Sequence, residues 1–374
     1  MNVACSGLHR IAANGITLML DLDAGMIRDF EVNMGGRRAA PLHRAPWLDD
    51  PTVTTDISLP PHLRTLSGDF FCAPFGASDT EPAPPHGWPA NAPWQLVAVE
   101  PHLAGGATHR FSLTRRVCGA QVLKELTVRD GHPFVYCRHV FLGGGGAVPV
   151  ASHAMIALPH GGTLSVSAKQ FAETPDAPLE PDPARGRSIL AYPARFTDLS
   201  QAPLAGAGTA DLQRYPLDAG HEDFVMLVEA AESRLGWGAV VRDGCGDLFL
   251  SLKNPRVLPA TFLWFSNGGR RYHPWNGRHA GVLGVEEGRA FSLQGHAASA
   301  AANRLSSAGI PTALALDPHG AAEVRHVLGA IPVATGVAKV RNIETADDAL
   351  HMTTENGQLL SVPFDTSFLE SDTP

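Results

Sequence analysis

The stretch "GRHAGVLGVEEGRAF", Gly277 to Phe291, is the one from which the rest of the chain is read. In an extended segment, neighbouring side chains point to opposite faces. Val282 and Gly284 then share a face with Glu286, and Leu283 and Val285 share the other with Glu287. One of the two adjacent carboxylates must point towards the interior or a cleft mouth, where an ionised group needs a reason to be.

Outward from this stretch the chain alternates in the same way. In "GITLMLDLD", Ile16, Leu18, Leu20 and Leu22 face one way and Thr17, Asp21 and Asp23 the other. "HRFSLTRRV" alternates Phe111, Leu113 and Val117 against Arg110, Ser112, Thr114 and Arg116, with "GAQVLKELTVRDG" as its hairpin partner. "HPFVYCRHVFL" is apolar on both faces, as a central strand covered on both sides is. "DLFLSLKN" and "ATFLWFSN" likewise read as buried strands. The 38 Gly and 30 Pro are spread through the chain, which suits many short strands joined by turns. "GHAASAAANRLSSAG", stopped by Gly309 and Pro311, is the best helix candidate. The expected fold class is all-β, mainly antiparallel: one large β-sandwich domain over 1–374, with 331–374 as a peripheral β extension.

The 374 residues are 44% hydrophobic and 18% charged, an ordinary globular composition. A net charge of −8 argues against nucleic acid and anionic membrane as partners, since both select basic surfaces. No run approaches the roughly 18 apolar residues of a spanning helix. The five cysteines, Cys5, Cys72, Cys118, Cys137 and Cys245, form no CxxC pair, which disfavours a disulfide scaffold or a structural zinc. None of the 17 histidines sits in an HExxH spacing, so no metal is expected in the site. A soluble, cytoplasmic protein is the expectation. "LGGGGAVP" lacks the GK[ST] of a phosphate loop, and no GxSxG elbow is present, which leaves a hydrolase reading unsupported.

Three segments concentrate polar and aromatic residues. "LSGDFFCAPFGASDTEPAPPHGWPANAPW", residues 66 to 94, is too proline-rich for a strand or helix. Its aromatics Phe70, Phe71, Phe75, Trp88 and Trp94, beside His86 and Asn91, suit a wall on which a pyranose stacks its C–H face. "VPVASHAMIALPHGG" carries His153 in an apolar run, and "LWFSNGGRRYHPWNGRHAGVLGVEEG" crowds Arg270, Arg271, Trp275 and Arg278 before the glutamates.

Taken in order, these segments resemble the galactose mutarotase-like superfamily, which includes the aldose 1-epimerases. "GDFFCAPFG…HGWPANAPW" looks like that family's Gly-rich loop and HG motif. "ASHAMIALPHGG" resembles its strand bearing the catalytic His, "GVLGVEE" the strand ending in the catalytic Glu, and "SSAGIPTALALDPHG" its closing segment. The resemblance implies a β-sandwich of the mutarotase type and an isomerase that interconverts sugar anomers without a cofactor. It assigns Glu286 as general base and His153 as general acid on opposite sides of the sugar ring, His86 as a binder of sugar hydroxyls, and Glu287 as the solvent-side neighbour. Where the family has a sugar-binding Asp, this chain has His221, with Glu222 beside it. Positions that carry arginines in the hexose-phosphate branch are Leu66 and Ala90, so a phosphate clamp is unsupported. The expected ligand is a small-molecule sugar, neutral, acidic or modified. A non-catalytic carbohydrate-binding or sensing protein on the same scaffold stays open, as does the oligomeric state.

Overall fold

The computed structural model describes residues 7–334, 336–337 and 339–370; Cys5 lies outside them. Two large antiparallel sheets carry the chain. One has eight strands and is centred on His221–Glu229, Ala260–Asn267 and Val282–Arg289. The other has nine, with Asp247–Lys253, Ala321–Pro332 and Phe134–Leu142 at its middle. A four-stranded sheet from the first 39 residues and a three-stranded sheet over Val340–Pro363 complete the main layers.

The period of two decides what each strand contributes. Leu283 and Val285 join Val225, Leu227, Leu263 and Phe265 in the core between the two large sheets, opposite Phe249, Val240 and Cys137. Val282 joins Phe224, Met226, Phe262 and Trp264 on the outer face of the eight-stranded sheet. The nine-stranded sheet divides the same way, with Leu248, Leu250 and Leu252 turned outward against Ile343, Leu350, Met352 and Val362. Both large sheets are therefore apolar on both faces, as the sequence of their central strands indicated.

Two sequence expectations are corrected. The Ala-rich segment is helical only over Gly295–Ala300, followed by a 3-10 turn at Ser306–Ala308. Asn303 ends it: its side chain donates to Ala298 O and Ala301 O and accepts from the backbone N–H groups of Leu305 and Ser306. Such an amide competes with the helical ladder for its partners. Glu287 is not on a solvent side. It is wholly buried between the sheets, its carboxylate 2.5 Å from Lys253 Nζ and accepting from Thr261 Oγ1 at 2.7 Å. Lys253 also lies 3.0 Å from Glu229, which in turn pairs with Lys169. Two lysines and two glutamates thus neutralise each other inside the sandwich, which is what lets ionised groups stay there.

Candidate active site

A cavity of about 480 Å³ opens on the outer face of the eight-stranded sheet. Its floor holds His153 and Glu286, and the strand register explains why they meet. Ala151 pairs with Gly288 and Ala154 with Val285, so the same register sets His153 across from Glu286. The ladder is open at this point. The His153 N–H donates instead to Asp69 Oδ1 and Phe70 O, both at 2.9 Å. The imidazole Nε2 lies 3.4 Å from Glu286 Oε1. The two groups therefore sit side by side, not on opposite walls of a sugar site.

Neither group is otherwise satisfied. Both Glu286 carboxyl oxygens and His153 Nδ1 are buried without a hydrogen-bond partner. Burial, reinforced by the nearby Asp69 carboxylate, pushes Glu286 well above the ordinary carboxylate range. Burial, with the neighbouring His62 and Arg270, pulls His153 down to about 3. Both shifts favour the uncharged form of the pair, with its proton on the carboxyl.

Space for that carboxyl comes from Gly284, two residues earlier on the same face. A Cβ there would lie 2.9 Å from both Glu286 Oε1 and Trp264 Cβ. The imidazole of His153 is fixed by packing: Phe70 stacks on it at 4.5 Å, and Trp264 and His86 meet its ring edge-on at 5.6 and 5.2 Å.

His86 reaches the cavity from the long proline-rich loop. Its backbone is left-handed, φ +67°, and Gly87 after it is obligatory, since a Cβ would come within 1.9 Å of Ala73 O. Its Nδ1 faces Cys72 Sγ at 3.4 Å. Asn91 does not line the cavity; it acts one layer back. Its Nδ2 donates to Pro85 O and Gly87 O, so its Oδ1 is the acceptor for both the His62 N–H (3.1 Å) and His62 Nδ1 (2.9 Å). His62 therefore carries its hydrogen on Nδ1, which leaves Nε2 as a bare acceptor for a ligand in the cavity. His62 has no sequence signal, because the one-turn helix Pro61–Arg64 that presents it has no motif.

The other expected binders divide. Trp275 lines the cavity, with the Arg270 guanidinium 4.3 Å above its ring. Arg278 stands behind it, bound to Asp50 at 3.2 Å and over Trp47. Trp88 is away from the cavity, under Arg115. His221 and Glu222 are consecutive on one strand and so face opposite ways. His221 turns into the interior, its Nδ1 2.7 Å from Asp223 Oδ2. Glu222 is on the cavity side of the sheet but is occupied by Trp264 Nε1, Ser266 Oγ and Arg270. Burial lifts Glu222 above its usual range, and Arg270 opposes that rise.

No protein-family model matches the chain, and no curated protein matches it by sequence. Solved structures do. An inferred aldose 1-epimerase from Escherichia coli is similar over 87% of this chain and 99% of its own, at 12% identity and a TM-score of 0.56. Another from Klebsiella pneumoniae is similar over 86% of this chain and 78% of its own, at 13% identity and a TM-score of 0.50. A protein from Synechocystis sp. covers 89% of this chain and 99% of its own at 11% identity, again with a TM-score of 0.50. At these identities the likeness establishes the architecture: the chain has the galactose mutarotase-like sandwich fold. Among the described residues, no helix is long and apolar enough to cross a membrane.

Proposed function

We propose that the protein interconverts the anomers of a reducing sugar, as an aldose 1-epimerase-like isomerase that works by general acid–base catalysis. The observation that supports this most is the contact of His153 with Glu286 at 3.4 Å on the floor of a sugar-sized cavity. The anomeric hydroxyl and the ring oxygen hang from one carbon, so a donor and an acceptor side by side reach both. Opposite walls are not needed.

Because burial favours the protonated form of Glu286, this reading reverses the starting roles that the sequence resemblance implied. His153 Nε2 takes the proton of the anomeric hydroxyl while the Glu286 carboxyl gives its own to the ring oxygen. The bond from the anomeric carbon to the ring oxygen breaks as the carbonyl forms. The open-chain aldehyde turns about its first carbon–carbon bond, and the ring recloses on the other carbonyl face. In closure the imidazolium returns a proton to the carbonyl oxygen and the carboxylate recovers one from the attacking hydroxyl. In this reading His86 and the bare Nε2 of His62 hold sugar hydroxyls, and Trp264 and Trp275 cover an apolar ring face. Exchange spectroscopy by NMR, or polarimetry, over a panel of aldoses tests the reading; absence of exchange on every reducing sugar rejects it in favour of a binding protein.

Two further outcomes follow. Catalytic efficiency should stay level across neutral pH, because the pair holds one proton throughout. It should fall as pH rises through the raised value of Glu286, when the donated proton is lost, and on the acid side only as His153 protonates near pH 3. An unperturbed pair, with reference values of roughly 4.3 and 6.5, would change charge within that plateau. Ring nitrogen shifts of His153 that show an imidazolium at pH 7 would contradict the assignment. Gly284→Ala should fold yet lose roughly a hundredfold in rate, since the added methyl displaces the Glu286 carboxyl against Trp264. An unchanged rate in that variant would mean that the carboxyl position is not critical.

A further inference from the structure

Four polar groups of the cavity are gathered together: Glu286 touches His153, and the rings of His153, His86 and His62 follow one another at 5.2 and 5.1 Å; Arg270, Tyr272 and His273 also line it. Five leucines share the remaining wall with Phe70, Phe75, Phe224, Trp264 and Trp275. Leu59 and Leu63 come from the excursion that ends in Leu66, Leu179 from the loop after the strand Lys169–Glu173, and Leu293 from the turn after Val282–Arg289. Leu66 is buried, and the other four are half-buried and line the cavity while packing on the core behind it.

Charge gives an independent constraint. Arg270 is the one arginine or lysine among the described residues that line the cavity, and it is ion-paired through Nη2, although its Nε has no hydrogen-bond partner. Its Nη2 lies 3.2 Å from Glu222 Oε1, and its guanidinium face covers Trp275. A carboxylate or phosphate entering here finds no unpaired cation and gives up its water for little return.

We propose that the substrate of this site is an uncharged reducing deoxy sugar, one in which hydrogen or a methyl group replaces a polar substituent and rests against the leucine wall. The inference rests on the anomer-interconverting reading above. The polar cluster serves the anomeric end, where hydroxyls must be held and protons moved. The leucines receive the edge that lacks a hydroxyl. A full hexose would press a hydroxyl against side chains that offer no hydrogen bond, and that hydroxyl would lose its water uncompensated.

The test compares three sugars of one configuration on the purified full chain: a hexose, its 6-deoxy counterpart and its uronic acid. Anomer exchange is followed by NMR, and binding by quenching of tryptophan fluorescence, for which Trp264 and Trp275 are reporters in the cavity. The 6-deoxy sugar should show a catalytic efficiency roughly ten- to hundredfold above that of the hexose, the range a hydrophobic pocket gives against an added hydroxyl. The uronic acid should be slowest. Equal or faster turnover of the hexose, or of the uronic acid, overturns the proposal while leaving the isomerase reading intact. If no sugar is turned over, the isomerase reading falls; the binding order then decides this proposal separately, and any order without the deoxy sugar first overturns it. Leu179→Gln, on a half-buried loop position, should narrow the preference for the deoxy sugar at least severalfold. An unchanged preference in both that variant and Leu63→Gln overturns the role given to the leucine wall.

Discussion

Glu286→Gln is expected to reduce anomer exchange by roughly a hundred- to ten-thousandfold, the range one positioned acid–base group supplies, without loss of folded protein. The amide keeps the shape of the carboxyl but cannot pass a proton between the ring oxygen and the reclosing hydroxyl. Stability should move the other way. The folded chain holds the Glu286 proton more tightly than the unfolded chain does, because burial and Asp69 raise its pKa. Stability from that proton is complete below the ordinary carboxylate value and is lost as pH rises through the raised one. Glutamine does not titrate, so the variant should match the parent at low pH and gain on it as pH rises. Denaturant unfolding at several pH values, alongside NMR exchange rates, reads both effects. Full activity in the variant would remove Glu286 from the mechanism, and a collapse of stability would recast it as a structural residue.

The same substitution one residue later should do the opposite. Glu287→Gln is expected to cost about 3 kcal/mol of unfolding free energy, the scale of breaking a buried ion pair from one side. Lys253 and Lys169 would then share the single carboxylate of Glu229 inside the sandwich, with the Lys253 ammonium fully buried. Residual folded protein should keep its exchange activity, since Glu287 does not face the cavity. Urea unfolding with activity measured on the folded fraction separates the two. A stable, inactive Glu287→Gln would show that the two glutamates have been assigned to the wrong faces.

This pair of neighbours also shows how far the sequence could be read. Alternation through Val282, Leu283, Gly284 and Val285 placed Glu286 and Glu287 on opposite faces, and the cores on either side of that strand bear this out. The sequence did not say which face held a second sheet. Lys253 and Glu229 are far from Glu287 along the chain, and only their convergence makes the buried side electrically tolerable. The same limit applies at His221 and Glu222, which were both expected to bind sugar although adjacent strand positions cannot share a face. His153 and His86, both at the cavity, stand in segments that short motifs marked. His62 and the leucine wall carried no mark, since each comes from a separate excursion with no local pattern.

What the chain alone determined was local. Strand periodicity, turn-forming Gly and Pro, and two-sided apolar runs depend on backbone sterics and on water leaving neighbouring side chains, so they can be read from adjacent letters. What only the tertiary structure decided was pairing at a distance. It raised the proton affinity of Glu286 through burial and Asp69, set the tautomer of His62 through Asn91, and paired Arg270 with Glu222. Desolvation and charge act through space, and no spacing along the sequence encodes how close two such groups will come.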